Sequence, residues 1–250
     1  MAFNKNTVPK FNIVPATYGD IVISSEGKEF PLFLLHKNGK QLMALNTKTN
    51  REIKELYSSY DLAYGNVLVS GLGFGILPLW LASKPEVTSV KVMEFSQEII
   101  DLFLQSNEIP SNLTIELGDI SKYVSNDKYD CILLDHFQDH LPESEYHLNL
   151  KSIEGISRNV PNHDVIWGWS LEQMFLTIKF GISPHRFTTN PIDLRQFDLY
   201  PAWLEFISDD ISVATVPSLS KHKLTEYIYT FYNYIVVKEL NDYVSSLQDS

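Results

Sequence analysis

The sequence has one cysteine, Cys131, set inside an apolar run. That excludes an intrachain disulfide and fits a reducing compartment. No apolar run reaches the ~20 residues that a bilayer-spanning helix needs. Met1 to Lys10 is polar, so no signal peptide is expected. Basic clusters are missing as well. Twenty Lys and Arg stand against 31 Asp and Glu, a formal charge of −11. A nucleic-acid partner is therefore not expected, nor a membrane. A small neutral or cationic substrate suits such a field better than a polyanion. There is no internal repeat and no low-complexity tract. These absences describe a soluble, cytoplasmic chain, and its 250 residues, 44% hydrophobic, suffice for one α/β domain with an appendage.

The most informative stretch is Asn66 to Asp119. Val67-Leu68-Val69-Ser70 is an apolar run that meets Gly71-Leu72-Gly73-Phe74-Gly75. A buried strand, a tight turn and a helix over Ile76–Ala82 are expected. Pro78 falls in the first turn of that helix, where the missing amide costs nothing. Alternate glycines let main chain bend sharply and come close to a ligand. A second strand, Ser89–Phe95, carries Glu94 at its end. A third, Leu113–Leu117, runs into Gly118-Asp119. In an open parallel sheet, ligands sit beyond the carboxyl ends of the strands. A carboxylate about 20 residues after a glycine turn can accept from both hydroxyls of a ribose. Glu94 is so placed.

Around this core the pattern continues. Residues 1–47 read as a β-rich module with strands near Phe11–Val14, Asp20–Ile23, Pro31–His36 and Gln41–Leu45. Asn38-Gly39 marks a hairpin. The module is either an edge extension or a contact between two copies in a homodimer. Ile53, Leu56, Tyr57 and Tyr60 recur at helical spacing within Arg51–Ala63. Helix Ser96–Ser106 has Ser96 as its cap, with Ile99, Ile100, Phe103 and Leu104 facing inward. A short helix follows Asp119, which caps it or binds a ligand, or both. Strand Tyr129–Asp135 is apolar throughout, as a strand covered on both faces should be. A helix over Pro142–Asn159, a strand over Val165–Trp169 and a helix over Leu171–Phe180 come next. Trp167 and Trp169 serve as core or as a wall of the acceptor pocket. Residues 182–210 are either a substrate lid or a packed insertion. The strands Ile211–Val216 and Glu226–Lys238 close the sheet.

The loop after the fourth strand reads Asp135-His136-Phe137-Gln138-Asp139-His140. His136 and His140 would share a face if the turn were helical and could then hold a divalent metal. A hydrogen-bonded loop histidine is the commoner situation, so no metal is expected. His136 near an orienting Asp also suits a general base.

The glycine turn with Glu94, Asp119 and the strand ending at Asp135 resembles motif I and its neighbours in class I S-adenosylmethionine (SAM) methyltransferases. The β module ahead of the sheet is similar to that of spermidine synthases, which share the fold. The resemblance implies a Rossmann-like, mostly parallel seven-stranded sheet with a terminal antiparallel strand, in a SAM-binding domain over 48–250. It implies that Gly71, Gly73, Phe74 and Gly75 approach the amino-acid part of SAM and that Glu94 holds the ribose. Phe95, Asp119 and Ile120 would then surround the adenine. Asp135, with His136 as helper, would orient or deprotonate the acceptor. Methyl transfer to a small acceptor is the expected activity. The alternatives are aminopropyl transfer from decarboxylated SAM, against which the His136-Phe137 continuation speaks, and a catalytically inactive binding module.

Overall fold

The computed structural model describes residues 11–27, 31–47, 56–135 and 146–168, with 199–210, 234–242 and the single residues 8, 53, 195 and 231. The chain divides into two compact units. One comprises Phe3–Leu141 and Leu148–Trp169; the other comprises Met1–Ala2, Pro142–His147 and Ser170–Ser250.

The first unit begins with four antiparallel strands, β1 (Ala16–Tyr18), β2 (Ile21–Glu26), β3 (Leu32–Lys37) and β4 (Lys40–Asn46), paired in that order. Asn38 and Gly39 take φ of 52° and 73° at the β3–β4 turn. Both central residues of the tightest hairpin turns need positive φ, so Asn-Gly is well suited here. Ile21, Leu35 and Leu45 are fully buried beneath this sheet. The strand expected at Phe11–Val14 does not form. Instead Asn12 donates its amide to Asn107 Oδ1 at 2.9 Å and accepts from Asn107 Nδ2 at 3.1 Å. One side-chain amide thus does what a strand partner would do, so pairing is unnecessary.

Helix α1 (Tyr57–Leu62) is the described part of the helix expected over Arg51–Ala63. Residues 51–52 and 54–55 lie outside the described set. Tyr60 stacks on Trp80 with ring centroids 4.3 Å apart. Lys84 Nζ closes the carboxyl end of α1, donating to the carbonyls of Tyr60, Asp61 and Ala63 at 2.7, 2.9 and 2.7 Å. Carbonyls of a last helical turn lack the usual i+4 amide, although Tyr60 O also accepts from Ala63 N at 3.3 Å, and a cation there complements the helix dipole.

The core sheet is parallel. Its strands are β5 (Gly65–Ser70), β6 (Val87–Glu94), β7 (Leu113–Leu117), β8 (Tyr129–Leu134) and β9 (His163–Gly168), in the spatial order β7-β6-β5-β8-β9. This is a Rossmann-like, doubly wound arrangement. The chain steps outward from β5 to β6 and β7, then returns to the other side for β8 and β9. Val67, Leu68, Val69, Ile132 and Leu133 are fully buried, which is why β5 and β8 read as unbroken apolar runs. Each such side chain contributes roughly 2 kcal/mol by leaving water. Helices α2 (Ile76–Ala82), α3 (Gln97–Ser106) and α4 (Tyr146–Asn159) fall between the strands in sequence. Pro142 to Glu145 lie outside the described set. Trp167 is fully buried, so it is core rather than pocket wall; Trp169 is outside the described residues.

Two expectations inside this unit need correction. On α3, Leu104 is 45% exposed while Leu102 is buried. Both flank the stripe made by Ile99, Ile100 and Phe103, and periodicity alone does not separate them. Ser96 does stand at the cap position of α3, but its hydroxyl makes no capping bond. It donates to Glu98 Oε2 at 2.6 Å.

In the second unit, α5 (Tyr200–Asp210) occupies the end of the irregular stretch 182–210. A further helix, α6, covers residues 234–242. Trp203 and Phe231 meet edge to face at 5.5 Å, and Phe206 lies 5.2 Å from Tyr234. The closing strand expected over Glu226–Lys238 is thus overturned from residue 234 on. Thr230 to Val237 is rich in β-formers, yet Phe231, Ile235, Val236 and Leu240 are the buried positions. Their spacing is that of a helix face, and tertiary burial outweighs propensity. Ile211–Val216 and Leu171–Phe180 lie outside the described residues. Among the described residues the parallel sheet has five strands, not seven.

Candidate functional site

Three backbone hydrogen bonds bind the carboxyl ends of neighbouring strands together just past their last residues. Gly118 N donates to Glu94 O at 2.8 Å, Gly71 N to Met93 O at 2.9 Å, and Asp135 N to Ser70 O at 2.8 Å. Asp119, Glu94, the glycine turn and Asp135 are therefore consecutive along one edge of the sheet. The Ser70–Asp135 contact lies between β5 and β8, where the winding reverses. A crevice at such a point is where open parallel sheets bind ligands.

The turn itself needs its glycines. Gly71, Gly73 and Gly75 have φ of 95°, 51° and 76°, a region costly for residues with a Cβ. Gly75 N closes the turn on Leu72 O at 2.7 Å, and Gly75 O accepts from Leu79 N at 3.1 Å to begin α2. At Gly75 a Cβ would overlap the Phe103 ring, and at Gly73 it would come within 2.9 Å of Met43 Sδ. So these two Cα positions face the chain's own side chains, from α3 and from β4. Phe74 is buried.

Glu94 is 3% exposed. Its Oε2 accepts from Leu72 N at 2.8 Å and its Oε1 from Ser96 N at 2.9 Å. Burial pushes its carboxyl above the usual range; the amides of Leu72, Ser96 and Phe95 and the charge of Lys37 pull the other way. Next to it Phe95 is 65% exposed, a large apolar ring left open at a strand end. Asp119 caps the 3-10 turn Ile120–Lys122, accepting from Ser121 N at 3.0 Å and Ser121 Oγ at 2.7 Å, with Lys122 Nζ at 3.1 Å. The hydrogen bond from Ser121, joined by Lys122, holds its carboxyl below the ordinary value. Ile120 is buried.

Asp135 is half-buried, and desolvation pushes its carboxyl up to about 7. A carboxyl in that range takes and gives protons near neutral pH, as a general base must. His136 and His140 lie outside the described residues. Among the described residues, no three His, Cys, Asp or Glu side chains lie together as metal ligands, and no helix is long and apolar enough to cross a membrane.

The amino-terminal sheet adds residues to this edge that sequence reading missed. Met43 lies against Gly73. Lys37 Nζ lies 3.3 Å from Ser96 Oγ, 3.9 Å from Glu98 Oε2 and 5.3 Å above the Phe95 ring centroid. A lysine at a hairpin carries no sequence signal of such a role; only the packing of the two sheets reveals it.

No family model matches the chain, and no curated protein matches it. Solved structures do. A DhpI–SAM–HEP complex superposes with a TM-score of 0.37 at 16% identity, over 48% of this chain and 54% of that one. A SAM-dependent methyltransferase from Clostridium acetobutylicum ATCC 824 gives 0.30 at 17%, over 46% of each chain. The N-methyltransferase NodS from Bradyrhizobium japonicum WM9 gives 0.34 at 16%, over 45% and 62%. The matched region thus spans about half the length of these structures.

Proposed function

We propose that the chain is a SAM-dependent methyltransferase acting on a small, neutral or cationic acceptor. The observation that carries this reading is Glu94. It is a buried carboxylate at the end of β6, bonded to the glycine turn through Leu72 N and separated from Asp135 by the one intervening strand, β5. Its lone pairs beyond the two amide bonds would accept from the ribose hydroxyls. Phe95, largely exposed, would offer its ring to the adenine. Main chain at Gly73 and Phe74 would meet the amino-acid part of SAM, since the amides of Gly71, Leu72 and Gly75 already donate within the protein.

In the reaction, an acceptor lone pair attacks the methyl carbon in line with the C–S bond. That bond breaks, its electrons pass to sulfur, and the sulfonium becomes a neutral thioether. The acceptor proton goes to Asp135, with His136 as helper. Little charge has to be stabilised, so most of the acceleration comes from holding two reactants in register. The deciding experiment is titration calorimetry with SAM and, separately, decarboxylated SAM. Clear preference for SAM supports methyl transfer. Preference for the decarboxylated form supports aminopropyl transfer, which the amino-terminal β module favours.

A further inference from the structure

We infer that Met43, supplied by the amino-terminal antiparallel sheet, is a positioning residue of the cofactor turn: its thioether sets the place of the Gly73-Phe74 main chain. The inference rests on the SAM reading of that turn given above.

Three of the five residues in Gly71–Gly75 are pinned by their amides. Gly71 N donates to Met93 O at 2.9 Å, Leu72 N to Glu94 Oε2 at 2.8 Å and Gly75 N to Leu72 O at 2.7 Å. Gly73 and Phe74, between them, form the apex. Among the described residues nothing accepts from either apex amide, so packing has to hold this part of the turn. Phe74 is buried. Together with Gly73 it lines a crevice whose other walls include Ile99 and Phe103 of α3 and Ile23 and Leu35 of the appended sheet.

Met43 provides the contact at Gly73 itself. In the β3–β4 ladder Leu35 pairs with Met43 and His36 with Gln41, which leaves Leu42 unmatched. This is a β-bulge, a local kink that re-aims neighbouring side chains. The residue directly after it is Met43. Its Sδ lies 2.9 Å from the point where a Cβ on Gly73 would stand, and its Cε lies 3.9 Å from that point. The thioether therefore fills the space that any side chain at position 73 would need. An unbranched, adaptable side chain suits such a gap. Truncating it leaves a void beside a residue whose backbone is the freest of all to move. A ligand would then have to order the apex as it binds, at a cost in affinity. The appended sheet is in this sense part of the cofactor site, although it lies outside the parallel sheet that builds the pocket.

The test compares wild type, Met43→Ala and Met43→Leu in the full chain. S-adenosylhomocysteine binding is measured by calorimetry, and the backbone amides are followed by ¹⁵N NMR without ligand. Met43→Ala should bind roughly 3- to 10-fold more weakly, and Met43→Leu should recover most of the loss. In the Ala variant the Gly73 and Phe74 amide resonances should shift more than those of Gly71 and Gly75, which a general loss of stability would not produce. Equal binding by Met43→Ala, or unmoved Gly73 and Phe74 amides, overturns the inference. A wild type that binds no adenosyl ligand overturns the SAM reading; the amide shifts, read without ligand, still decide the Met43 contact.

Discussion

Leu72 N donates to Glu94 Oε2 at 2.8 Å across 22 residues of sequence, tying the glycine turn to the end of the next strand. The bond makes Glu94 both a binding group and a brace. Glu94→Ala leaves the amides of Leu72 and Ser96 buried without an acceptor. An orphaned buried donor costs ~1–3 kcal/mol, so the variant should melt earlier as well as lose the nucleoside. Glu94→Gln keeps one acceptor oxygen and should recover much of the stability but little of the binding. Thermal denaturation with calorimetry on both variants separates the two roles.

Gly75 should be the least replaceable residue of the turn. Its φ of 76° is strained for alanine, and a Cβ there runs into Phe103. We expect Gly75→Ala to cost on the order of 2–4 kcal/mol in urea unfolding, strain and overpacking together. Adding Phe103→Leu should return only the part owed to the clash.

Asp135 gives the pH prediction. Its folded carboxyl is raised from 3.8 to about 7 by burial. A raised folded value means that the native state holds this proton more tightly than the unfolded chain. Its contribution to stability is full below the ordinary carboxylate range and is lost as pH rises through about 7. Asp135→Asn should flatten stability between those limits and leave the protein more stable at pH 8, by on the order of 1–4 kcal/mol. Turnover should show the opposite trend, rising with pH as the base ionises. The Asn variant should lose both the rate and its pH step.

Lys84 gives a prediction remote from the site. Three carbonyls at the end of α1 share its ammonium. Lys84→Met should destabilise the chain by ~1–3 kcal/mol and leave SAM affinity unchanged. Denaturation together with a binding isotherm checks both halves.

Much of the core was legible because single residues in it have one structural use. The run Val67 to Ser70 and the glycines after it specified a strand and a left-handed turn; helix Ile76–Ala82 and strand Leu113–Leu117 lie at the residues expected. Asn38-Gly39 specified its hairpin. What misled was competition between local and long-range partners. Phe11–Val14 alternates like a strand, but Asn107 takes its pairing role at Asn12. Residues 234–237 have strand propensity and a helical burial pattern, and burial wins. Lys37 and Met43 reach the site only through sheet packing, which no local pattern encodes. Asp119 fills the capping role that was anticipated beside its ligand role.

The central claim is that Glu94 and the glycine turn form a pocket for an adenosyl sulfonium. The most direct measurement is a calorimetric titration of SAM into the full chain, repeated with a Glu94→Gln variant shown by circular dichroism to be folded. The account predicts saturable one-to-one binding by the wild type and at least a tenfold loss in the variant, ~1.4 kcal/mol or more. No binding by the wild type, or equal binding by the folded variant, would contradict it.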